Sequence, residues 1–265
     1  MKVAAVQMCS GTERDHNLRT AERLIAQAAA EGAELVLLPE YFVLMGKRDT
    51  DKWLIKESLG HGPMQECMSA LAKQHGIYLV AGSMPIAVAA SDKVSNTCLV
   101  YDPEGMRIAR YDKIHLFSFD NGKERYDEST TQVAGTQAVR FACPFGEVGL
   151  SICYDLRFPE HYRQFAGVPL ILAPSAFTAT TGKAHWELLL RARALENQCY
   201  VLAAAQAGLH ENGRRTWGHS MLVDPWGEVV QLASEEGEAI LLADIHLELI
   251  HKTRQNLPSL MHKRI

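Results

Sequence analysis

Apolar and polar positions follow two rhythms along this chain. Short apolar runs have the length and β-branched content of buried strands. They are Val3 to Val6, Leu35 to Leu38, Ile77 to Ala81, Val148 to Ile152, Leu170 to Ala173 and Tyr200 to Ala203. Longer stretches with helical spacing lie between them. Leu18, Ala21, Leu24, Ile25, Ala28 and Ala29 share one helix face, with Asp15 or Asn17 as candidate cap and Gly32 as stop. Met64, Met68, Leu71 and Ala72 mark a second helix that ends at Gly76. Ala184 to Gln198 forms its counterpart, with Trp186, Leu189, Leu190 and Leu195 near one face.

The order of these elements repeats. Gly32 to Pro39 resembles Gly167 to Pro174, and Ile77 to Ala81 resembles Cys199 to Ala203. Asp102-Pro103-Glu104-Gly105 resembles Asp224-Pro225-Trp226-Gly227, and both suit a type I turn. The last two pairs share one offset, 200 − 78 = 122 and 224 − 102 = 122. Each half reads strand, helix, strand, helix, strand, hairpin. Two sheets face to face with helices outside each would bury every apolar face. This predicts an α/β fold, a four-layer α-β-β-α sandwich of two similar halves, with residues 1–265 as a single domain.

Composition narrows the function. The chain has 265 residues, 47% hydrophobic, which suffices for a large core. A net charge of −4 gives no basic footprint for nucleic acid. No apolar run approaches a membrane span, and Met1 to Met8 reads as a first strand rather than a signal peptide. The default compartment is therefore the cytoplasm. The 6 cysteines are scattered, so reduced thiols are expected. No C-x-x-C, H-E-x-x-H, G-x-G-x-x-G, Walker A or G-x-S-x-G pattern occurs, which disfavours a structural zinc, the usual nucleotide folds and a serine nucleophile elbow.

Three strands run into reactive groups. Leu35 to Leu38 leads to Pro39-Glu40, Met106 to Tyr111 leads to Asp112-Lys113, and Val148 to Ile152 ends at Cys153. In layered α/β folds, sites gather where strand ends open into loops. A thiol needs an adjacent base at neutral pH, and a desolvated Glu40 has the basicity to serve. The thiolate would attack a carbonyl, with Lys113 and the Tyr154 N–H as donors to the oxyanion. No metal or organic cofactor enters such a scheme. Taken singly, each residue has a plainer reading. A cysteine after an apolar run is usually core, Glu40 suits a helix cap, and Lys113 suits a solvated surface. Spacing alone also leaves open a cysteine–histidine pair with His115 or His185.

The segments Leu37-Leu38-Pro39-Glu40, Tyr111-Asp112-Lys113-Ile114-His115-Leu116 and Ile152-Cys153-Tyr154-Asp155-Leu156-Arg157-Phe158-Pro159-Glu160 together resemble the nitrilase superfamily of carbon–nitrogen hydrolases. The likeness runs from residue 3 to the C-terminal His262-Lys263-Arg264. It implies the α-β-β-α sandwich and a homodimer, for which Phe158 to Phe165 and the C-terminal helix offer one surface. It also implies Glu40 as base, Lys113 as oxyanion stabiliser, Cys153 as nucleophile and Glu128 as a second glutamate that holds the lysine. The loop Ser118 to Arg125, charged and without proline, departs from the family's usual form. Pro174-Ser175-Ala176-Phe177, Ala184-His185-Trp186-Glu187 and Gly218-His219-Ser220 resemble the Nit-type branch, which holds the deaminated glutathione amidases and the omega-amidases. Ser175 and Ala203 to Gln206 lean to the former. The implied substrate is a small linear amide bearing a carboxylate, in a pocket lined by Tyr154, Arg157, Phe177, Thr178 and Trp186. Arg157 would grip the carboxylate or else pair with Asp155 or Glu160. A non-catalytic binding subunit on the same fold is the reading of another class, and it predicts loss of a triad member.

Overall fold

The computed structural model describes residues 1–264. Strand β1 (Lys2–Gln7) leads to helix α1 (Arg14–Ala30), β2 (Leu35–Leu37), α2 (Pro63–His75), β3 (Tyr78–Ala87), β4 (Val94–Tyr101) and β5 (Arg107–Asp112). A small hairpin of β6 (Ser118–Asp120) and β7 (Arg125–Asp127) follows. The second half runs through β8 (Arg140–Cys143), β9 (Gly146–Leu150), α3 (Pro159–Arg163), β10 (Leu170–Leu172), α4 (Ala179–Asn197) and β11 (Tyr200–Ala203). It continues with β12 (Ala207–Leu209), β13 (Arg215–Trp217), β14 (Met221–Val223) and β15 (Val229–Leu232), and the chain closes with β16 (Ala239–Asp244) and α5 (Leu247–Asn256).

Two six-stranded sheets carry the architecture, in the orders β16-β1-β2-β3-β4-β5 and β15-β14-β11-β10-β9-β8. Read from opposite ends, they correspond strand for strand. β16 crosses back to pair antiparallel with β1, in the place that β8 takes beside β9. Side chains in β1 alternate as a pleated strand requires. Val3 and Ala5 join the core shared with the second sheet, including Val148, Leu150 and Leu172. Ala4 and Val6 pack with Ala21, Leu24 and Ile25 of α1 and Met64 and Met68 of α2. Trp186 and Leu190 of α4 cover the second sheet. The result is the expected α-β-β-α sandwich. Among the described residues, no helix is long and apolar enough to cross a membrane.

Three local expectations are corrected. Neither Asp15 nor Asn17 caps α1, whose N-cap is Glu13 without a side-chain bond. Asp15 pairs with Arg14. Asn17 is buried instead, with its amide bonded to Gly11 and to the Val43 carbonyl. It therefore ties α1 to the loop that follows Glu40. Helix α4 begins five residues before Ala184, at Ala179, because Thr178 accepts the Thr181 N–H at 3.2 Å. Gly182 lies inside this early turn, where a Cβ would collide with Trp217. Leu195 is exposed, and the buried face of α4 carries Trp186, Leu190, Arg193, Ala194 and Asn197.

Candidate active site

Strand β2 ends at Leu37, and the chain turns through Leu38 and Pro39 to reach Glu40. Gly82 on β3 permits that turn, since a Cβ there would collide with the carbonyl oxygens of Leu38 and Pro39. The β3–β4 register shifts between Ala81 and Met84. Ser83, in that bulge, accepts the Tyr41 N–H at 3.0 Å. Tyr41 itself has φ of 56°, a left-handed conformation costly for an aromatic residue. Lys113 directly follows β5 and continues its ladder, with its N–H donating to the Asn96 carbonyl at 2.9 Å.

Cys153 stands three residues beyond β9, at the head of a 3-10 turn over Cys153–Arg157. It too has left-handed φ, 49°, and its N–H donates to the Pro174 carbonyl at 3.0 Å. A strained backbone position held by its surroundings is a frequent device of active sites. Asp155, fully buried, secures this turn. It accepts the Ile152 N–H at 2.8 Å and the Tyr111 hydroxyl at 2.6 Å. Its other oxygen accepts the His115 N–H at 3.0 Å and lies 2.7 Å from His115 Nδ1. Tyr111 and His115 flank Lys113, so one carboxylate clamps the lysine segment to the cysteine turn.

The four groups converge. Lys113 Nζ donates to Glu40 Oε1 at 2.9 Å and to Glu128 Oε2 at 2.7 Å. Glu40 Oε1 also accepts from Asn96 Nδ2 at 2.9 Å, and Oε2 accepts the Ala176 N–H at 3.0 Å. Cys153 and Glu40 line the same cavity, and the Glu40 charge acts on the thiol. Glu128 receives the Tyr41 hydroxyl at 2.6 Å and the Phe117 N–H at 2.7 Å. Among the described residues, the Tyr154 N–H has no protein acceptor.

The two glutamates differ electrically. Burial raises the Glu40 carboxyl above the usual carboxylate range, and the nearby Glu128 charge adds to that rise against the pull of Lys113. Burial also pushes Glu128 up, but the Lys113 charge and the bonds from Lys113, Tyr41 and Phe117 outweigh it and leave its carboxyl lowered. Burial pulls Lys113 down, yet the Glu128 and Glu40 charges hold it well above the usual lysine range. Burial and then the Glu40 charge drive Cys153 well above the usual thiol range. Environments that push paired carboxyls apart separate a proton carrier from a fixed anion. Here Glu40 suits the first role and Glu128 the second.

The site opens into a cavity whose wall includes Glu40, Tyr41, Phe117, Glu128, Cys153 and Thr178. Tyr154, Arg157, Phe177 and Trp186 are not in that wall, contrary to the sequence expectation. In a 3-10 turn, residues i and i+3 share one side. Tyr154 and Arg157 therefore point together away from Cys153, with the guanidinium 5.7 Å from the Tyr154 ring centre and 5.4 Å from that of Phe177. Arg157 pairs with neither Asp155 nor Glu160, and its Nη1 lies 3.3 Å from His185 Nδ1. Trp186 is core, donating Nε1–H to the His219 carbonyl at 2.8 Å, with Phe177 packed on it. Tyr154 backs Phe117 edge to face. His115 is held by Asp155 and stacked on Phe158, and His185 is exposed, so a carboxylate rather than an imidazole faces the thiol.

Sequence reasoning missed Tyr41, Asn96 and Gln132. Gln132 donates Nε2–H to the Tyr41 hydroxyl at 2.7 Å. The signal for Asn96 was present, since Ser95-Asn96-Thr97 is a polar run inside a wholly buried strand. Among the described residues, no cluster of three His, Cys, Asp or Glu side chains is arranged to hold a metal ion.

Comparison with known proteins identifies the family and the fold. The chain is 41% identical over 98% of its length to the deaminated glutathione amidase of Synechocystis, covering 97% of that protein. It is 40% identical over 99% of its length to the omega-amidase NIT2 of Xenopus tropicalis, covering 95% of it. The crystal structure of Saccharomyces cerevisiae Nit3, a member of branch 10 of the nitrilase superfamily, superposes with a TM-score of 0.89 at 33% identity, over 97% of this chain and 94% of that one. The carbon-nitrogen hydrolase family model matches residues 2–255. The chain therefore belongs to the carbon–nitrogen hydrolase family, and is a hydrolase of carbon–nitrogen bonds built on the α-β-β-α sandwich.

Proposed function

We propose that the protein hydrolyses the terminal amide of a small, linear, carboxylate-bearing substrate, and that Cys153 carries the acyl group as a thioester. The observation that carries this reading is the convergence of Lys113 on Glu40 and Glu128 at the cavity that Cys153 also lines, with Glu40 the carboxyl whose environment raises its proton affinity. In the resting site the thiol keeps its proton, because burial and the Glu40 charge oppose a thiolate. When a carbonyl carbon arrives, Glu40 takes that proton as sulfur attacks. The negative charge then develops on oxygen. Lys113 has three N–H donors and gives two to the glutamates, so one remains for the oxyanion, with the free Tyr154 N–H as its partner donor. Glu40 returns its proton to the departing nitrogen, and ammonia leaves. Glu40 next takes a proton from water as the water oxygen attacks the thioester carbon, then passes it to the departing Cys153 sulfur, which releases the acid and restores the thiol. Glu128 stays anionic and fixes Lys113 throughout.

Deaminated glutathione is the first substrate reading, supported by the 41% identity to the Synechocystis amidase. Short α-keto acid amides, such as α-ketoglutaramate and α-ketosuccinamate, are the second, supported by the 40% identity to the Xenopus omega-amidase. Parallel kcat/KM values from ammonia release separate the two. The test of mechanism is Cys153→Ala with mass spectrometry. Wild type quenched during turnover gains the mass of the acyl group, and the variant gains none and loses activity by about 10⁴-fold or more. Substantial activity in Cys153→Ala excludes the thioester route. The free cysteines suit a reducing compartment, and we propose the cytoplasm. We also propose a homodimer through the α3 region, where His161, Tyr162 and Phe165 point inward and leave Glu160 exposed for a partner. Mass photometry reads the count.

A further inference from the structure

Four cationic side chains line the active-site cavity: Arg48, Lys52, Arg214 and Arg215. Three have carboxylate partners. Arg48 Nε lies 3.0 Å from Asp51, Arg214 pairs with Asp49, and Arg215 pairs with Glu236. Lys52 has none among the described residues. Its Nζ makes one long bond, 3.3 Å, to Thr131 Oγ1, and lies 5.5 Å from the centre of the Tyr41 ring. That ring links it to the chemistry, since the Tyr41 hydroxyl donates to Glu128.

An ammonium that is half-buried with no carboxylate in direct contact is an incomplete arrangement. Burial pulls Lys52 below the usual lysine range, against the charges of Glu128 and Asp49. The segment around it is fixed. The short turn Asp51–Trp53 carries Lys52, and Trp53 Nε1 donates to the Thr131 carbonyl at 3.2 Å. Two further polar atoms along this cavity lack protein partners, Asn96 Oδ1 and Gln132 Oε1. Both are acceptors that lie beneath the cavity surface, so the group the wall asks for is a negative one near Lys52.

We propose that Lys52 is the specificity residue that anchors a carboxylate at the end of the acyl chain remote from the scissile amide. This rests on the amidase reading above and names the group that selects among amides. It also moves the anion-binding role from Arg157, which stacks outside the cavity wall, to a cation within it. An ammonium can compensate an anion of any chain length that reaches it, so the anchor sets the sign of the distal group first and its distance second.

The test compares succinamate with butyramide, its uncharged counterpart of similar length, in wild type, Lys52→Met and Lys52→Arg. The readout is the ratio of the two kcat/KM values from ammonia release. Wild type should favour succinamate. In Lys52→Met that ratio should fall by about tenfold to a hundredfold, the range for losing a charged hydrogen-bond partner. Lys52→Arg should keep most of the preference, which a merely structural role for Lys52 does not explain. An unchanged ratio in Lys52→Met, or equal loss on both amides in both variants, overturns the anchor and leaves the amidase reading standing. No ammonia from any amide with wild type overturns the amidase reading instead. The anchor is then judged by calorimetric titration of succinate, whose binding should weaken in Lys52→Met by the same factor and whose indifference to that change overturns it.

Discussion

The two halves share a scaffold and divide the chemistry. β1 pairs Val3 with Leu35 of β2, and β9 pairs Val148 with Leu170 of β10. The halves are thus in register, with 148 − 3 = 145 between the first strands and 170 − 35 = 135 between the second. By the first offset, Cys153 stands where the first half has Met8. By the second, Glu40 stands where the second half has Ser175. Met8 is a buried apolar side chain, and Ser175 bonds only locally, to the Ala173 carbonyl at 3.1 Å. Each half therefore has a reactive group at one strand end and an inert residue at the matching end. The first supplies the charges, Glu40, Lys113 and Glu128. The second supplies Cys153, the nucleophile of the proposed mechanism, and the backbone donors. Neither holds a complete site, which exists only where the sheets face each other.

The largest test of this division is the pair Glu40→Gln and Ser175→Ala. Loss of a general base costs about 10²- to 10⁴-fold in kcat, and Glu40→Gln should fall in that range while binding substrate. Ser175→Ala, at the equivalent place, removes one local bond. It should lower stability by about 1 kcal/mol and leave kcat within a few-fold of wild type. Steady-state ammonia release and thermal melts read both. Comparable kcat losses in the two variants contradict the division.

A middle-sized effect is expected at Asp155, which joins the halves. Asp155→Asn keeps the shape but sets an NH₂ group against one of four donors, the Ile152 N–H, the Tyr111 hydroxyl or the two His115 nitrogens. A buried mismatch of this kind costs about 1–3 kcal/mol. Because Asp155 holds the Lys113 segment against the cysteine turn, kcat should fall by about tenfold to a hundredfold through misplacement. Unfolding in denaturant gives the first figure and steady-state kinetics the second. A stability loss with unaltered kcat reduces Asp155 to a core residue.

The residues that end strands were legible because pattern reveals where an apolar run stops. Glu40, Lys113 and Cys153 each follow such a run, and the repeat of Asp-Pro-x-Gly turns predicted the matched sheets. Both turns form, with the Gly105 and Gly227 N–H groups donating to the Asp102 and Asp224 carbonyls. Side-chain direction beyond the strand was less legible. The 3-10 geometry that turns Tyr154 and Arg157 away from the cavity depends on a buried bond network around Asp155. Left-handed φ at Tyr41 and Cys153 is imposed by contacts distant in sequence, where the residue type itself argues against it. Lys52 lies in a loop whose charges gave no period, and its isolation appears only once the partners of Arg48, Arg214 and Arg215 are seen.

The smallest effect sharpens the same comparison through pH. Both histidines that are fully buried among the described residues, His161 and His210, belong to the second half. His161 donates Nε2–H to the Leu150 carbonyl at 3.1 Å, and its Nδ1 is buried without a partner. Burial lowers its pKa, with Asp155 opposing in part, so the folded ring is neutral. The unfolded chain binds a proton at this position below roughly pH 6.5. Stability from neutral His161 is therefore complete above that value and declines as pH falls towards the lower folded value. Asp155 and Glu128, whose carboxyls are lowered, withdraw their contributions at still lower pH, below the usual carboxylate range. Hydrogen exchange at mildly acid pH should thus accelerate first in β9 and the Cys153–Arg157 turn, before β1 to β3. His161→Phe should flatten the dependence of Tm on pH over that window, even though it lowers Tm at neutral pH by removing the bond to Leu150. An unchanged slope in that variant assigns the acid sensitivity to other groups, with His210 the next to test.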